Sequence, residues 1–259
     1  MNTHAATASI TASAKQLRLP ALRQEYERIC ADAEKARSGY LPFLAECLNV
    51  EVDDRNLRRI TRRIADAKFP RMKHLGDFNI DVSPITSTTI ATLVSAKFIE
   101  TATPVVFLGD SGTGKTHLLI GTGLSAAQSG KKVRYVTCAQ LVNELAEAAS
   151  DKQLSKVVSR YGRLDLLCID ELGYVQLDPR GAELLFQVIT ERDEKSSIAV
   201  ASNAPFSEWG QVFTDPRLVA AVVDRLTFNA LIIETGSDSY RLRSTRHKKG
   251  DAEHHLKRS

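Results

Sequence analysis

The chain has 259 residues, 43% of them hydrophobic, and 35 Lys and Arg against 31 Asp and Glu give a formal net charge of +4. That is a globular composition, long enough for one ordinary core plus a smaller domain. No stretch approaches the roughly 18 apolar residues of a membrane span or forms a signal peptide. The four cysteines (Cys30, Cys47, Cys138, Cys168) lack CxxC spacing, which excludes a cysteine metal site or disulfide framework and points to a reducing cytoplasm.

Residues 1–14 are small and polar and are expected to fray. From Leu17 a helical pattern begins, with Leu19, Leu22, Tyr26 and Ile29 at spacings of three and four. Ser38-Gly39 breaks it. A second helical run passes through Phe43, Leu44, Cys47 and Leu48, and a third carries Leu57, Ile60 and Ile64 before Phe69-Pro70 stops it. The expectation is a small all-helical domain over residues 1–75, followed by a linker and leading helix over 76–104, with the helix at Ile85–Ile99.

On the third helical run Arg55, Arg58, Arg59, Arg62 and Arg63 form a stripe opposite Leu57, Ile60 and Ile64. Like charges on one face repel unless something anionic lies against them. The backbone of duplex DNA is the natural partner, with Lys68, Arg71 and Lys73 extending the patch. A solvated face, or a docking face for an acidic protein, is the alternative. Aromatic residues are sparse here, so base stacking on single strands is not signalled.

Beyond residue 104 the pattern changes. Val105–Leu108, Val133–Val136, Leu166–Ile169, Ile198–Ala201 and Leu231–Ile233 are short continuous apolar runs separated by helical segments. This is α/β alternation around a buried parallel sheet, spanning 105–236, with a basic tail over 237–259. Asp178-Pro179 and Asp215-Pro216 each read as an N-cap followed by proline at the first helical position, and Gly130 closes a helix.

The first run opens into Gly109-Asp110-Ser111-Gly112-Thr113-Gly114-Lys115-Thr116, a complete GxxxxGK[ST] loop between strand and helix, followed by His117. Its backbone N–H groups and helix N-terminus suit the phosphates of ATP. Lys115 is expected to reach the β- and γ-phosphates, and the Thr116 hydroxyl to ligate Mg²⁺. The third run ends in Asp170-Glu171, where Asp170 fits a carboxylate holding Mg²⁺ through water and Glu171 a base polarising the attacking water. The fourth ends in Asn203, which either orients that water or is an ordinary turn former.

The order of P-loop, Asp-Glu strand, Ser-Asn strand and Asp-Arg-Leu helix resembles the AAA+ ATPases. GDSGTGKTH, IDELGY at 169–174 and SNAPFSEWGQVFTDPRLVAAVVDRL at 202–226 narrow the resemblance to IstB-like transposition helpers, relatives of the DnaC-type helicase loaders. It covers nearly the whole chain. It implies a P-loop AAA+ core that hydrolyses ATP, assembles with copies of itself on double-stranded DNA and directs a partner transposase to its target. It puts Asn203 at the sensor 1 position and Arg225 at the arginine finger, with Arg217 as a rival. The stretch after Glu234 is too short for a C-terminal helical lid, so Arg241 or Arg243 would have to stand in for sensor 2. A helicase loader, a small-molecule P-loop kinase and a nucleotide-switched scaffold are the competing readings.

Overall fold

The computed structural model describes residues 3–174, 176–213 and 215–237. The expected absence of a lid, and the tail arginines Arg241 and Arg243, lie outside them. The chain divides into two compact units, one ending at Arg62 and one beginning at Arg63.

In the N-terminal unit, α1 (Thr3–Gln16) corrects the expectation of a frayed start. Ala5, Ala6, Ala8, Ala12 and Ala14 supply strong helix propensity, and α1 packs on α2 (Pro20–Ala36), burying Ala14. Arg37, in the left-handed region at φ 50°, ends α2 just before the Ser38-Gly39 break. The second and third helical runs are one continuous helix, α3 (Tyr40–Ala67). No glycine or proline interrupts residues 43–67, so nothing stops the helix between the runs.

One buried carboxylate joins α2 to α3. Glu51 accepts hydrogen bonds from the first-turn N–H groups of Ala21 (3.1 Å) and Leu22 (3.4 Å) at the start of α2, a cap supplied from another helix because Leu19 offers no side-chain acceptor. Arg55 Nε donates to Glu51 at 3.0 Å, and its other arm donates to the Arg18 carbonyl at 3.0 Å. Removal from water pushes the Glu51 carboxyl up, but the hydrogen bonds from Arg55, Leu22 and Ala21 and the charge of Arg55 hold it below the usual 4.5.

The second unit holds a five-stranded sheet. It comprises β1 (Val105–Leu108), β2 (Val133–Thr137), β3 (Leu166–Leu172), β4 (Ser197–Ser202) and β5 (Leu231–Glu234), in the order β2-β3-β4-β1-β5 with every pair parallel. Alternate side chains face two apolar layers. Phe107, Cys168 and Ala201 pack with Leu118 and Leu119 of α5 (Lys115–Gln128). Val106, Ile169 and Val200 pack on the other side with Leu141 of α6 (Cys138–Ser150), Leu185 of α8 (Pro179–Arg192) and Val222 of α9 (Pro216–Thr227). Between β2 and β3, α7 (Leu154–Gly162) follows α6.

The segment before β1 is packed on this core. Ala67, Leu75, Ile85, Leu93 and Phe98 all join the α5 layer. The expected helix over 85–99 is α4 (Ser87–Ser95) plus a separate 3-10 turn at Lys97–Ile99, divided by Ala96 in the left-handed region. Both aspartate N-caps form: Asp178 accepts from Gly181 N at 2.7 Å and Asp215 from Arg217 N at 2.8 Å. Arg192, fully buried, donates to the carbonyls of Tyr161 and Ser197, tying the end of α7 to the start of β4. Among the described residues no helix is long and apolar enough to cross a membrane.

Replacing Glu51 with alanine strips the α2 N-terminus of its acceptor and is expected to cost about 1–3 kcal/mol in the N-terminal unit. Because the folded carboxyl is depressed, its stabilisation is present above about pH 4.5 and is lost as pH falls through the depressed value. Amide protection factors at Ala21 and Leu22, corrected for the intrinsic pH dependence of exchange, check both, falling in Glu51→Ala at pH 7 and in the wild type on acidification.

Candidate functional site

In a parallel sheet with crossover helices, ligands lie beyond the carboxyl ends of the strands. Here β1, β3 and β4 end side by side and deliver the glycine-rich loop, the acidic pair and Asn203 to one cavity of about 650 Å³. Ser111 to His117, Asp170, Glu171 and Asn203 line it.

The loop curls because its three glycines, Gly109, Gly112 and Gly114, all take positive φ. Gly109 has φ 144°, and a Cβ there would run into Thr235 and come within 2.7 Å of the Gly236 carbonyl. Gly114 has φ 102°, and a Cβ there would lie 2.7 Å from the Phe78 ring. The loop is also held from beyond β5. Thr113 and Thr235 share a hydroxyl–hydroxyl hydrogen bond of 2.6 Å, Thr235 Oγ1 donates to the Leu108 carbonyl at 3.0 Å, and Asp110 N donates to the Gly236 carbonyl at 3.1 Å. Lys115 Nζ donates to the Gly109 and Asp110 carbonyls at 2.6 Å each, which sets the ammonium across the loop.

The acidic pair is divided by a β-bulge. Ile169 pairs with Val200 and Leu172 with Ser202, so β3 fits one extra residue against β4. Glu171 takes up the slack at φ 60°, a left-handed conformation unusual for a side chain of its size. The result separates two adjacent carboxylates: Asp170 is 3% exposed, while Glu171 is exposed in the cavity. Asp170 Oδ1 accepts from the Glu171 amide at 2.9 Å and from the Thr116 hydroxyl at 3.3 Å, and Oδ2 accepts from Tyr135 at 2.7 Å. A hydroxyl and a carboxylate adjoining a phosphate loop form a hard oxygen donor set, which suits Mg²⁺ completed by phosphate and water. Among the described residues no three His, Cys, Asp or Glu side chains form a self-sufficient metal site.

Other expected residues stand further off. His117 lines the cavity, but its Nε2 donates to the His74 carbonyl at 2.8 Å and its ring meets Phe78 edge-on at 5.5 Å. Arg225 stands on α9 outside the cavity lining, 3.3 Å from Asp193, over the Phe186 ring at 4.9 Å and donating to the Ala221 carbonyl at 3.1 Å. Arg217 is exposed at the first turn of α9. On α3, Arg55, Arg58, Arg59 and Arg62 are exposed and Arg63 is half-buried, with Lys68 exposed just past the helix end. Arg55 is engaged by Glu51 and Arg58 by Asp54.

The sequence reading misses Phe78, Asn79, Tyr135 and Thr235. Arg71 and Lys73, read as extensions of the arginine patch, line the cavity alongside Phe78, Asn79 and Thr235. Phe78, followed by Ile80 and Val82 in the otherwise polar stretch 76–84, is a local signal that this segment is packed rather than free. Tyr135 and Thr235 carry no such signal, since their partners are distant in sequence.

Burial, followed by the charges of Lys73 and Arg71, outweighs the His74 carbonyl and Asp77 and holds His117 below the usual imidazole value of 6.5. Because the folded value is depressed, the ring's contribution is intact above pH 6.5 and is lost as pH falls through the depressed value. Lowering pH from 7.5 to 5.5 is expected to reduce amide protection factors (exchange corrected for its intrinsic pH dependence) in residues 74–78, and His117→Gln is expected to remove that dependence.

The comparisons with known proteins converge. Residues 12–248 match the family described as IstB-like ATP binding protein. The protein named as the ATP-binding protein of insertion sequence IS5376 from Geobacillus stearothermophilus is 34% identical over 232 residues, covering 89% of this chain and 92% of the relative. Its counterpart from insertion sequence IS21 of Pseudomonas aeruginosa is 31% identical over 232 residues, 89% of this chain and 88% of the relative. Among solved structures, the replication initiator DnaA bound to AMPPCP and single-stranded DNA superposes with a TM-score of 0.53 at 21% identity. That likeness covers 69% of this chain and 54% of the initiator, and it bears on the fold alone. With the family match running from the N-terminal helices through the last strand of the sheet, the chain belongs to the IstB-like ATP binding proteins.

Proposed function

We propose that this protein is an ATP-hydrolysing helper of transposition that assembles with copies of itself on duplex DNA and directs a partner transposase to its target. The observation that carries the reading is the meeting of loop, buried Asp170, exposed Glu171 and Asn203 in one cavity, in a chain whose relatives are named for insertion sequences.

Each side chain has a distinct task. The loop amides and Lys115 bind the ATP phosphates, and Thr116 with Asp170 holds the metal. When bound, Mg²⁺ neutralises phosphate charge as it develops. Glu171, turned outward by the bulge, accepts a proton from water, and Asn203 on the adjoining strand end orients that water. Arg225 serves the site of a neighbouring copy, where a guanidinium stabilises the charge on the transferred phosphoryl group. To do so it must leave Asp193 and Phe186, which hold it in the isolated chain. The exposed arginines of α3 contact DNA phosphates irrespective of sequence, Arg59 among them, with Arg55 and Arg58 sharing their charge with Glu51 and Asp54.

Lys115→Ala is expected to abolish ATP binding, measured by equilibrium titration. Glu171→Gln is expected to bind ATP normally while losing about 10²–10⁴-fold in turnover, and to remain on DNA as a large complex; normal hydrolysis in this variant refutes its role. Arg225→Ala is expected to keep nucleotide affinity and lose turnover; if turnover survives, Arg217 takes its place. Sizing on matched duplex and single-stranded DNA with ATP, ADP or neither separates the helper from a helicase loader. ATP-dependent growth on duplex supports the helper, and preference for single strands supports the loader.

A further inference from the structure

Tyr135 lies on β2, a strand with no expected share in the site. Its ring packs in the α5 layer with Cys168 and, at 6.3 Å between centroids, with Phe69. Its hydroxyl reaches past that apolar layer and donates to Asp170 Oδ2 at 2.7 Å. The register places Tyr135 opposite Cys168 and Thr137 opposite Asp170, so the tyrosine reaches diagonally across to the carboxylate. A phenylalanine would fill the same apolar space, so the hydroxyl has one evident effect, on Asp170.

That effect is orientation. Asp170 is 3% exposed, and its other oxygen faces the Thr116 hydroxyl and the Glu171 amide. A carboxylate fixed at one oxygen cannot swing the other out of line. A phenol hydroxyl 2.7 Å from a carboxylate oxygen is the donor of the pair.

We propose that Tyr135 is the positioning residue of the metal-holding carboxylate: by pinning Asp170 Oδ2 it keeps Oδ1 towards Thr116, and so sets how tightly the site takes the Mg²⁺ of a Mg²⁺–nucleotide. This rests on the ATP site described above. Groups that orient a metal-holding side chain typically change metal affinity by roughly 10- to 100-fold when removed.

The test uses the full chain, a fluorescent ATP analogue and a Mg²⁺ titration, with nucleotide affinity in EDTA as the second readout. Tyr135→Phe is expected to raise the Mg²⁺ midpoint by about 10-fold or more while leaving affinity in EDTA unchanged. Phe69→Leu disturbs packing around the same ring without removing the hydroxyl, and is expected to leave the midpoint in place. An unchanged midpoint in Tyr135→Phe overturns the proposal while leaving the ATP site standing. So does an equal loss of affinity in EDTA, or the same shift in Phe69→Leu, because each makes the tyrosine a packing residue. If nucleotide binding by the wild type shows no response to Mg²⁺, the metal role of Asp170 fails and the proposal fails with it.

Discussion

A carboxylate almost sealed from water, at the end of a strand, must find donors on every side or pull the fold apart. Asp170 is that group. Its donors come from α5 through Thr116, from its own strand through the Glu171 amide and from β2 through Tyr135. Satisfying one charge therefore ties together the helix that follows the phosphate loop and two strands. The neighbouring Glu171 stays out of that network because the bulge turns it outward. Two acidic residues adjacent in sequence thus acquire opposite environments, one buried and held by hydrogen bonds, the other exposed in the cavity.

Around this point the phosphate loop is gripped from both sides. Phe78 and the His74 carbonyl close on it from the segment before β1, both by meeting His117 at the start of α5, and Thr235 and Gly236 close on it from the segment after β5. Neither grip uses a charge pair. The first relies on ring packing and a hydrogen bond, the second on hydroxyl and backbone hydrogen bonds, which salt screens little.

Much of this was legible from residue order. All five strands coincide with apolar runs, to within a residue or three at their ends, because a parallel sheet buried on both faces must be continuously apolar. The Asp-Pro helix starts and the phosphate loop carry their mechanism within a few residues, so they read locally. Tyr135 and Thr235 do not. A tyrosine in a buried strand and a threonine after one look like ordinary packing until the sheet order sets them beside Asp170 and Thr113. Continuous α3 was missed for a different reason: two apolar stripes in different phase read as two helices, although no residue between them breaks a helix. The alanine-rich α1 was missed because small polar side chains hide propensity behind low hydrophobicity.

The hold of Thr235 on Thr113 spans 122 positions, and its bond to the Leu108 carbonyl spans 127. During synthesis the ribosome delivers the phosphate loop long before its last support. β1, flanked by β4 and β5, has neither neighbour when it emerges. The loop therefore takes its final shape late, once the fifth strand has been made and docked, and an incomplete nascent chain carries the whole nucleotide motif without the geometry that gives it meaning.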